Sequence, residues 1–134
     1  MPRRRSGRLD PDVVLDHVRA ACLALPEATE RLSHGSPSFF VREKGPCFVS
    51  FVDDHHGDDN VGIWCAAPPG AQAELVETEP ERFFRPPYVG GRGWLGVRLD
   101  MDPDWDELAR IVADAYRTVA PKRLAALLDA DDGD

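Results

Sequence analysis

A chain of 134 residues with 43% hydrophobic and 30% charged residues has the length and composition of one globular domain. Sixteen basic side chains stand against 24 acidic ones, so the net charge is −8, a balance that opposes non-specific binding to nucleic acid. With neither a bilayer-long apolar run nor a signal-peptide core, the sequence predicts a cytoplasmic protein without membrane contact. Three cysteines without CxxC spacing predict free thiols.

Helices are expected at both ends of the chain, with strands between them. Asp10 before Pro11 is a favourable helix start, and apolar spacing then continues to Leu25. Strands are predicted over 38–42, 47–52 and 61–66, a short helix over 71–78, and a further strand over 94–100. Glu43 to Gly45 forms the expected hairpin turn between the first two strands.

The second long helix is predicted to start at Asp102-Pro103, and Lys122 to Leu128 to form a last turn or short helix. These elements predict an α+β fold, an antiparallel β-sheet meander flanked on one face by the N- and C-terminal helices. The opposite face of the sheet is then available for function. We expect a disordered basic lead-in over 1–9, one domain over 10–128, and a disordered acidic tail over 129–134.

The most unusual stretch, residues 80–100, reads PERFFRPPYVGGRGWLGVRLD. It predicts an ordered loop that enters a strand and presents a recognition surface. The candidate binding residues are Arg82, Arg85, Arg92 and Arg98 for phosphates or carboxylates, and Tyr88 and Trp94 for stacking on a base or flat ligand. The alternative is that the aromatic rings close one end of the core while the arginines pair with acidic groups.

Three further groups of residues that could form sites lie outside that stretch. His34, before a predicted strand, suits a ligand contact on the open sheet face or a structural hydrogen bond. Lys122 and Arg123 follow the last long helix, where they extend the recognition surface or simply complement a helix end. His55 and His56 indicate a solvated hairpin tip rather than a metal site. The sequence predicts no catalytic residues, metal or cofactor.

Five segments resemble the MmcQ/YjbR family in the family's order, over roughly residues 10–128. They are LALPEATE, HGSPSFFVREKG, IWCAAPPGAQ, PERFFRPPYVGGRGWLGVRLD and DWDELARIVADAYRTVAPKRL. The resemblance implies a fold similar to that of CyaY, the bacterial frataxin homologue. It also implies the DNA-binding role with which the family is usually labelled.

The expected function is therefore a non-enzymatic binding module, with DNA as a weak, salt-sensitive partner and a monomeric or weakly dimeric state. A second hypothesis is a pocket for a small flat or anionic ligand or drug between His34, Tyr88, Arg92 and Trp94. A third hypothesis is a protein-interaction domain. The residues alone leave these three open.

Overall fold

The computed structural model describes residues 9–53 and 61–132, and in that part of the chain six strands form one antiparallel sheet. The helices are α1 (Pro11–Leu23), α2 (Ala71–Thr78), α3 (Trp105–Val119) and α4 (Lys122–Asp132). The strands are β1 (Ala28–Ser33), β2 (Ser36–Val41), β3 (Cys47–Asp53), β4 (Val61–Cys65), β5 (Phe83–Phe84) and β6 (Leu95–Arg98). Their order is β1-β2-β3-β4-β6-β5, which confirms the predicted α+β class. No helix among the described residues is both long and apolar enough for a bilayer.

The first helix begins as its sequence predicts. Asp10 caps α1 by accepting a 2.9 Å hydrogen bond from the Asp12 amide, and a proline occupies the first turn. The buried side of the helix carries Val14, Val18 and Cys22. The capping and the apolar spacing therefore act together to fix both the start and the orientation of α1.

The start of α3 lies two residues later than predicted. Asp104 is the N-cap, and its carboxylate accepts from the amides of Asp106 and Glu107 at 3.0 and 3.2 Å. Asp102 has a φ of 52°, in the left-handed region, so it turns the chain before the helix instead of capping it. At the other end of the chain, α4 continues to Asp132, past the expected domain boundary at Leu128.

An edge strand, β1, was absent from the sequence prediction. Its sequence, ATERLS, is mostly polar, as is common for edge strands, which blunt their open side with charge. A two-residue turn joins it to β2, and both turn residues have positive φ, 52° for His34 and 81° for Gly35. Such a turn matches the twist of a hairpin, and it starts β2 at Ser36, earlier than the predicted residue 38.

The two faces of the sheet differ sharply in chemistry. One row of paired residues, Phe39, Val49, Cys65 and Leu95, points toward the helices and is fully or almost fully buried. The adjacent row is Ser38, Ser50, Trp64 and Gly96, and it defines what we call the open face. The helix-covered face packs against α1 and α3 and forms the core. In the described part of the chain, a ligand can therefore reach the sheet only on the open face.

Candidate functional site

A cavity of about 430 Å³ lies on the open face. Its lining residues come from the β1–β2 hairpin, from the middle of β3 and β4, and from the loop after β5: Ser33, His34, Ser36, Ser50, Val52, Trp64, Tyr88 and Val89. The volume falls within the usual range for small-molecule sites. The lining combines aromatic and aliphatic side chains with three serine hydroxyl groups and one imidazole.

Tyr88 stands over this cavity in a strained turn. Its φ is 67°, and the Val89 amide donates to the Pro87 carbonyl at 2.7 Å across it, which closes a three-residue turn. This turn is rare, and a left-handed aromatic residue costs on the order of 1–2 kcal/mol. The side chain is nevertheless 78% exposed, and its ring centroid lies 6.5 Å from that of Trp64. The fold thus holds a large apolar side chain in water against a local cost.

Hydrogen bonds from α2 hold the loop that carries Tyr88. The Gln72 amide nitrogen on α2 donates to the carbonyls of Gly90 and Trp94, at 2.8 and 2.5 Å. Gly90 also lies against Arg85, so closely that an added Cβ would be 2.6 Å from the arginine Cγ. Gln72 was not predicted as a site residue, because a single glutamine on a helix with no buried residues gives no signal in the sequence.

On the floor of the cavity, the lining residue Ser50 belongs to a short chain of hydroxyl and thiol groups. Ser38, fully buried, donates to the Ser36 carbonyl at 3.1 Å, and its Oγ lies 3.0 Å from Ser50 Oγ. The Cys47 sulfur lies 3.7 Å from the same Ser50 oxygen. These serines were not among the predicted site residues, because their convergence depends on the register of β2 against β3.

The four predicted arginines separate into two pairs. Arg82 forms ion pairs with Glu79 and Glu107, and Arg98 lies 3.9 Å from the buried carboxylate of Asp100. Their contacts match the alternative interpretation, in which the arginines balance acidic groups. Arg85 and Arg92 are exposed and have no carboxylate partner among the described interactions.

Of the predicted site residues, the structure brings only Tyr88 and His34 to the cavity. Trp94 belongs to the hydrophobic core, with Arg92 above its ring at 5.4 Å, and neither lines the cavity. Trp64 takes the position that was expected for Trp94. The sequence marks Trp64 only as a strand residue and does not indicate which face it occupies.

The remaining candidates lie elsewhere. Lys122 and Arg123 are exposed at the start of α4, which contacts α3 on the helix-covered side. The residues His55 and His56 lie outside the described part of the chain. Within that described part, no cluster of three histidine, cysteine or acidic side chains is arranged to hold a metal ion.

All three cysteines are free, as predicted. Burial raises the pKa of the Cys65 thiol to about 12 and also raises the pKa of Cys47, which is only partly exposed. Desolvation raises the pKa of Cys22 as well. The thiols are therefore protonated at neutral pH, and a protonated thiol is a poor nucleophile.

Comparison with known proteins identifies a similar solved structure and a matching family model. Among solved structures, the protein DR2400 of Deinococcus radiodurans, described as having a DUF419 domain, is similar with a TM-score of 0.67 at 18% identity. The alignment covers 90% of this chain and 88% of that chain, and it supports the fold alone. No curated protein matches the chain. The YjbR family model matches residues 23–118, so the chain belongs to the YjbR family.

Proposed function

We propose that this protein is a non-enzymatic binding module that takes a small, flat organic ligand in the cavity of the open face. The observation that supports this best is the exposed aromatic side chain of Tyr88, held by a strained turn beside Trp64. Strain retained at one residue is typical of binding and catalytic sites, where the surrounding structure enforces an otherwise unfavourable conformation. A planar ligand would cover the Tyr88 ring and offset the cost of its exposure.

Binding is favoured over catalysis by the chemistry of the lining. Among the described residues, no serine or cysteine is hydrogen-bonded to a histidine, the pairing that activates a nucleophile. The nearest thiol, Cys47, has a raised pKa because of desolvation. The lining instead combines aromatic and aliphatic surface with a few neutral polar groups, which is the usual composition of a ligand pocket.

Intrinsic tryptophan fluorescence tests this proposal directly, because Trp64 lines the cavity. The protein is titrated with a panel of uncharged mono- and bicyclic aromatic compounds. We expect saturable changes with some compounds, lost in Tyr88→Ala and retained in Leu32→Ala. Leu32 is a suitable control because its side chain is 71% exposed but does not line the cavity. A panel without any saturable response, or binding unaffected by Tyr88→Ala, would contradict the proposal.

DNA is the second candidate ligand, favoured by one observation. Arg85 and Arg92 are exposed on the same loop as Tyr88, without acidic partners among the described interactions. Guanidinium groups in this state suit phosphate oxygens. The net charge of −8 and the pairing of Arg82 and Arg98 with carboxylates act against this candidate.

Fluorescence anisotropy with a labelled duplex and a single strand, at about 50 mM and 200 mM salt, separates the two candidates. If the loop contacts phosphates, Arg85→Ala and Arg92→Ala each reduce the salt slope by about one. Lys122→Ala provides a matched control on the other side of the sheet. No binding at the lower salt concentration, or a slope unchanged in both arginine variants, would remove DNA as a candidate for this surface.

A further inference from the structure

We propose that the ligand of the open-face cavity is an uncharged planar aromatic molecule that carries a hydrogen-bond donor, of the indole or phenol type, and donates to Ser50 Oγ. This inference rests on the proposed function and specifies the chemistry of its ligand. It follows from the direction of the hydrogen bonds on the cavity floor, from the uncharged character of the lining residues that the structure describes, and from the position of the two aromatic rings.

The hydrogen-bond directions follow from counting protons. A serine hydroxyl has one proton to donate and two lone pairs that accept. Ser38 gives its proton to the Ser36 carbonyl, which can only accept. The contact of 3.0 Å between Ser38 Oγ and Ser50 Oγ is therefore a hydrogen bond that Ser50 donates. Because Ser38 is fully buried, bulk solvent does not reach its hydroxyl to take over either role.

Ser50 consequently presents only acceptor capacity to the cavity. Its single proton is engaged by Ser38, and the Cys47 thiol at 3.7 Å can occupy at most one of its two lone pairs. At least one lone pair remains for a ligand. An N–H or O–H group of the ligand fits this position. An ether or carbonyl oxygen would instead bring its own lone pairs against those of Ser50 Oγ, which is repulsive. An acceptor placed there would lose its hydrogen bond to water without gaining another.

The lining also restricts the charge of the ligand. The eight lining residues that belong to the described part of the chain include neither carboxylates nor lysine or arginine, and His34 at the turn is the one imidazole among them. The exposed Arg85 and Arg92 are outside the lining. An ionic ligand would lose hydration on entry without meeting an opposite charge, so a neutral molecule is favoured.

The aromatic rings favour a planar ligand. Trp64 and Tyr88 are tilted by 51°, with their centroids 6.5 Å apart, so they form two walls of a corner. A flat ring placed in this corner can stack on one wall, which is a favourable arrangement, and contacts the other wall at an oblique angle. Val52 and Val89 complete the apolar boundary, while Ser50 lies on the floor.

Indole and benzofuran are a suitable probe pair, since they have nearly the same shape. Indole carries an N–H donor at the position where benzofuran has an oxygen acceptor. NMR chemical-shift titration of the full chain with each compound measures the two dissociation constants. We expect indole to bind roughly five- to tenfold more tightly, the contribution of one hydrogen bond. In Ser50→Ala the two constants should become equal within about twofold.

Ser38→Ala is the second variant, and it reports the direction of the bond. Without Ser38 Oγ as its acceptor, the Ser50 hydroxyl is free to donate into the cavity, so the preference for indole should shrink or reverse. A variant with a merely structural effect would weaken both probes alike. Circular dichroism confirms that each variant is folded.

The outcomes separate this inference from the proposed function. Equal binding of indole and benzofuran to the unaltered protein, lost in Tyr88→Ala, would overturn the inference and leave the proposed function standing. A preference for indole that survives in both serine variants would also overturn the inference. Failure of both probes to bind would overturn the inference, and the proposed function would fall with it only if the rest of the aromatic panel also gave no saturable response.

Discussion

The two faces of the same sheet are built by neighbouring rows of residues and have opposite properties. On the helix-covered face, Phe39 and Val49 are completely buried. Their neighbours in the two strands, Ser38 and Ser50, point the other way and form a polar pair on the open face. Because adjacent residues of a strand point to opposite sides, one set of strands stabilises the domain on one face and is free to bind on the other. Stability and binding should therefore be separable by mutation.

The largest effect on stability is expected on the helix-covered face. Phe48 is fully buried and meets the Tyr116 ring edge to face, with centroids 5.5 Å apart. Phe48→Ala should lower the free energy of unfolding by about 3–5 kcal/mol, since it leaves a cavity in the core. Urea denaturation measures the change. A loss below about 1 kcal/mol would show that this face does not hold the main core.

An intermediate effect is expected where Phe84 covers one end of the open face. A Cβ at Gly96 would lie 2.4 Å from the Phe84 ring, so Gly96→Ala must displace that ring. Overpacking of this kind costs about 1–3 kcal/mol of unfolding free energy. Gly91→Ala is a matched control, because its nearest neighbour would be 3.8 Å away. Equal stability of the two variants in urea would show that Phe84 does not close this end.

A smaller, pH-dependent effect is expected at the contact of α1 with the edge strand. Arg19 forms two hydrogen bonds with Glu30, of 2.7 and 2.9 Å, and these lower the pKa of the Glu30 carboxyl. A lowered folded-state pKa gives stability that is present above the unfolded-state value of about 4.3 and is lost as the pH falls through the folded-state value.

Glu30→Gln should therefore destabilise the protein at neutral pH by at most about 1 kcal/mol, since the pair is partly exposed to solvent. The difference from the unaltered protein should shrink progressively as the pH falls below the unfolded-state value of about 4.3. Thermal unfolding across this pH range measures it. A difference that is constant with pH would exclude the ion pair as its cause.

The smallest effect on stability, with the largest on binding, is expected at Tyr88. Tyr88→Ala should change the free energy of unfolding by less than about 0.5 kcal/mol, because the side chain is exposed. Tyr88→Gly should raise the free energy of unfolding by up to about 1 kcal/mol, because glycine relieves the positive φ at a cost in chain entropy. Both variants should lose binding of aromatic ligands. If Tyr88→Ala unfolds the domain instead, the separation of the two faces fails at this residue.

Much of the fold was predictable because local signals agree with the tertiary structure. Asp10 and Pro11 start α1, and the predicted helix over 71–78 matches α2 in both bounds. The strand β1 was missed, since Glu30 and Arg31 on an edge strand give no apolar alternation. The start of α3 was misplaced because Asp102 and Asp104 offer the same capping side chain, and only backbone geometry distinguishes them.

The candidate site was less predictable than the fold. Tyr88 and His34 were selected from the sequence, because a proline- and glycine-rich loop and a residue before glycine both indicate turns. Trp64 and Ser50 reach the cavity only through strand register, which a single sequence does not specify. The fold's likeness to CyaY, implied by the family resemblance, stays a prediction.

The most direct test of the account uses the three tryptophans of the chain as reporters. The protein is titrated with the compound indole, and the side-chain N–H NMR signals of Trp64, Trp94 and Trp105 are followed separately. The Trp64→Phe variant identifies the signal of Trp64. Since Trp64 alone of the three lines the cavity, we predict a saturable shift of its signal, with the other two nearly unchanged. A shift confined to Trp94 or Trp105, or no shift at all, would contradict a binding site on the open face.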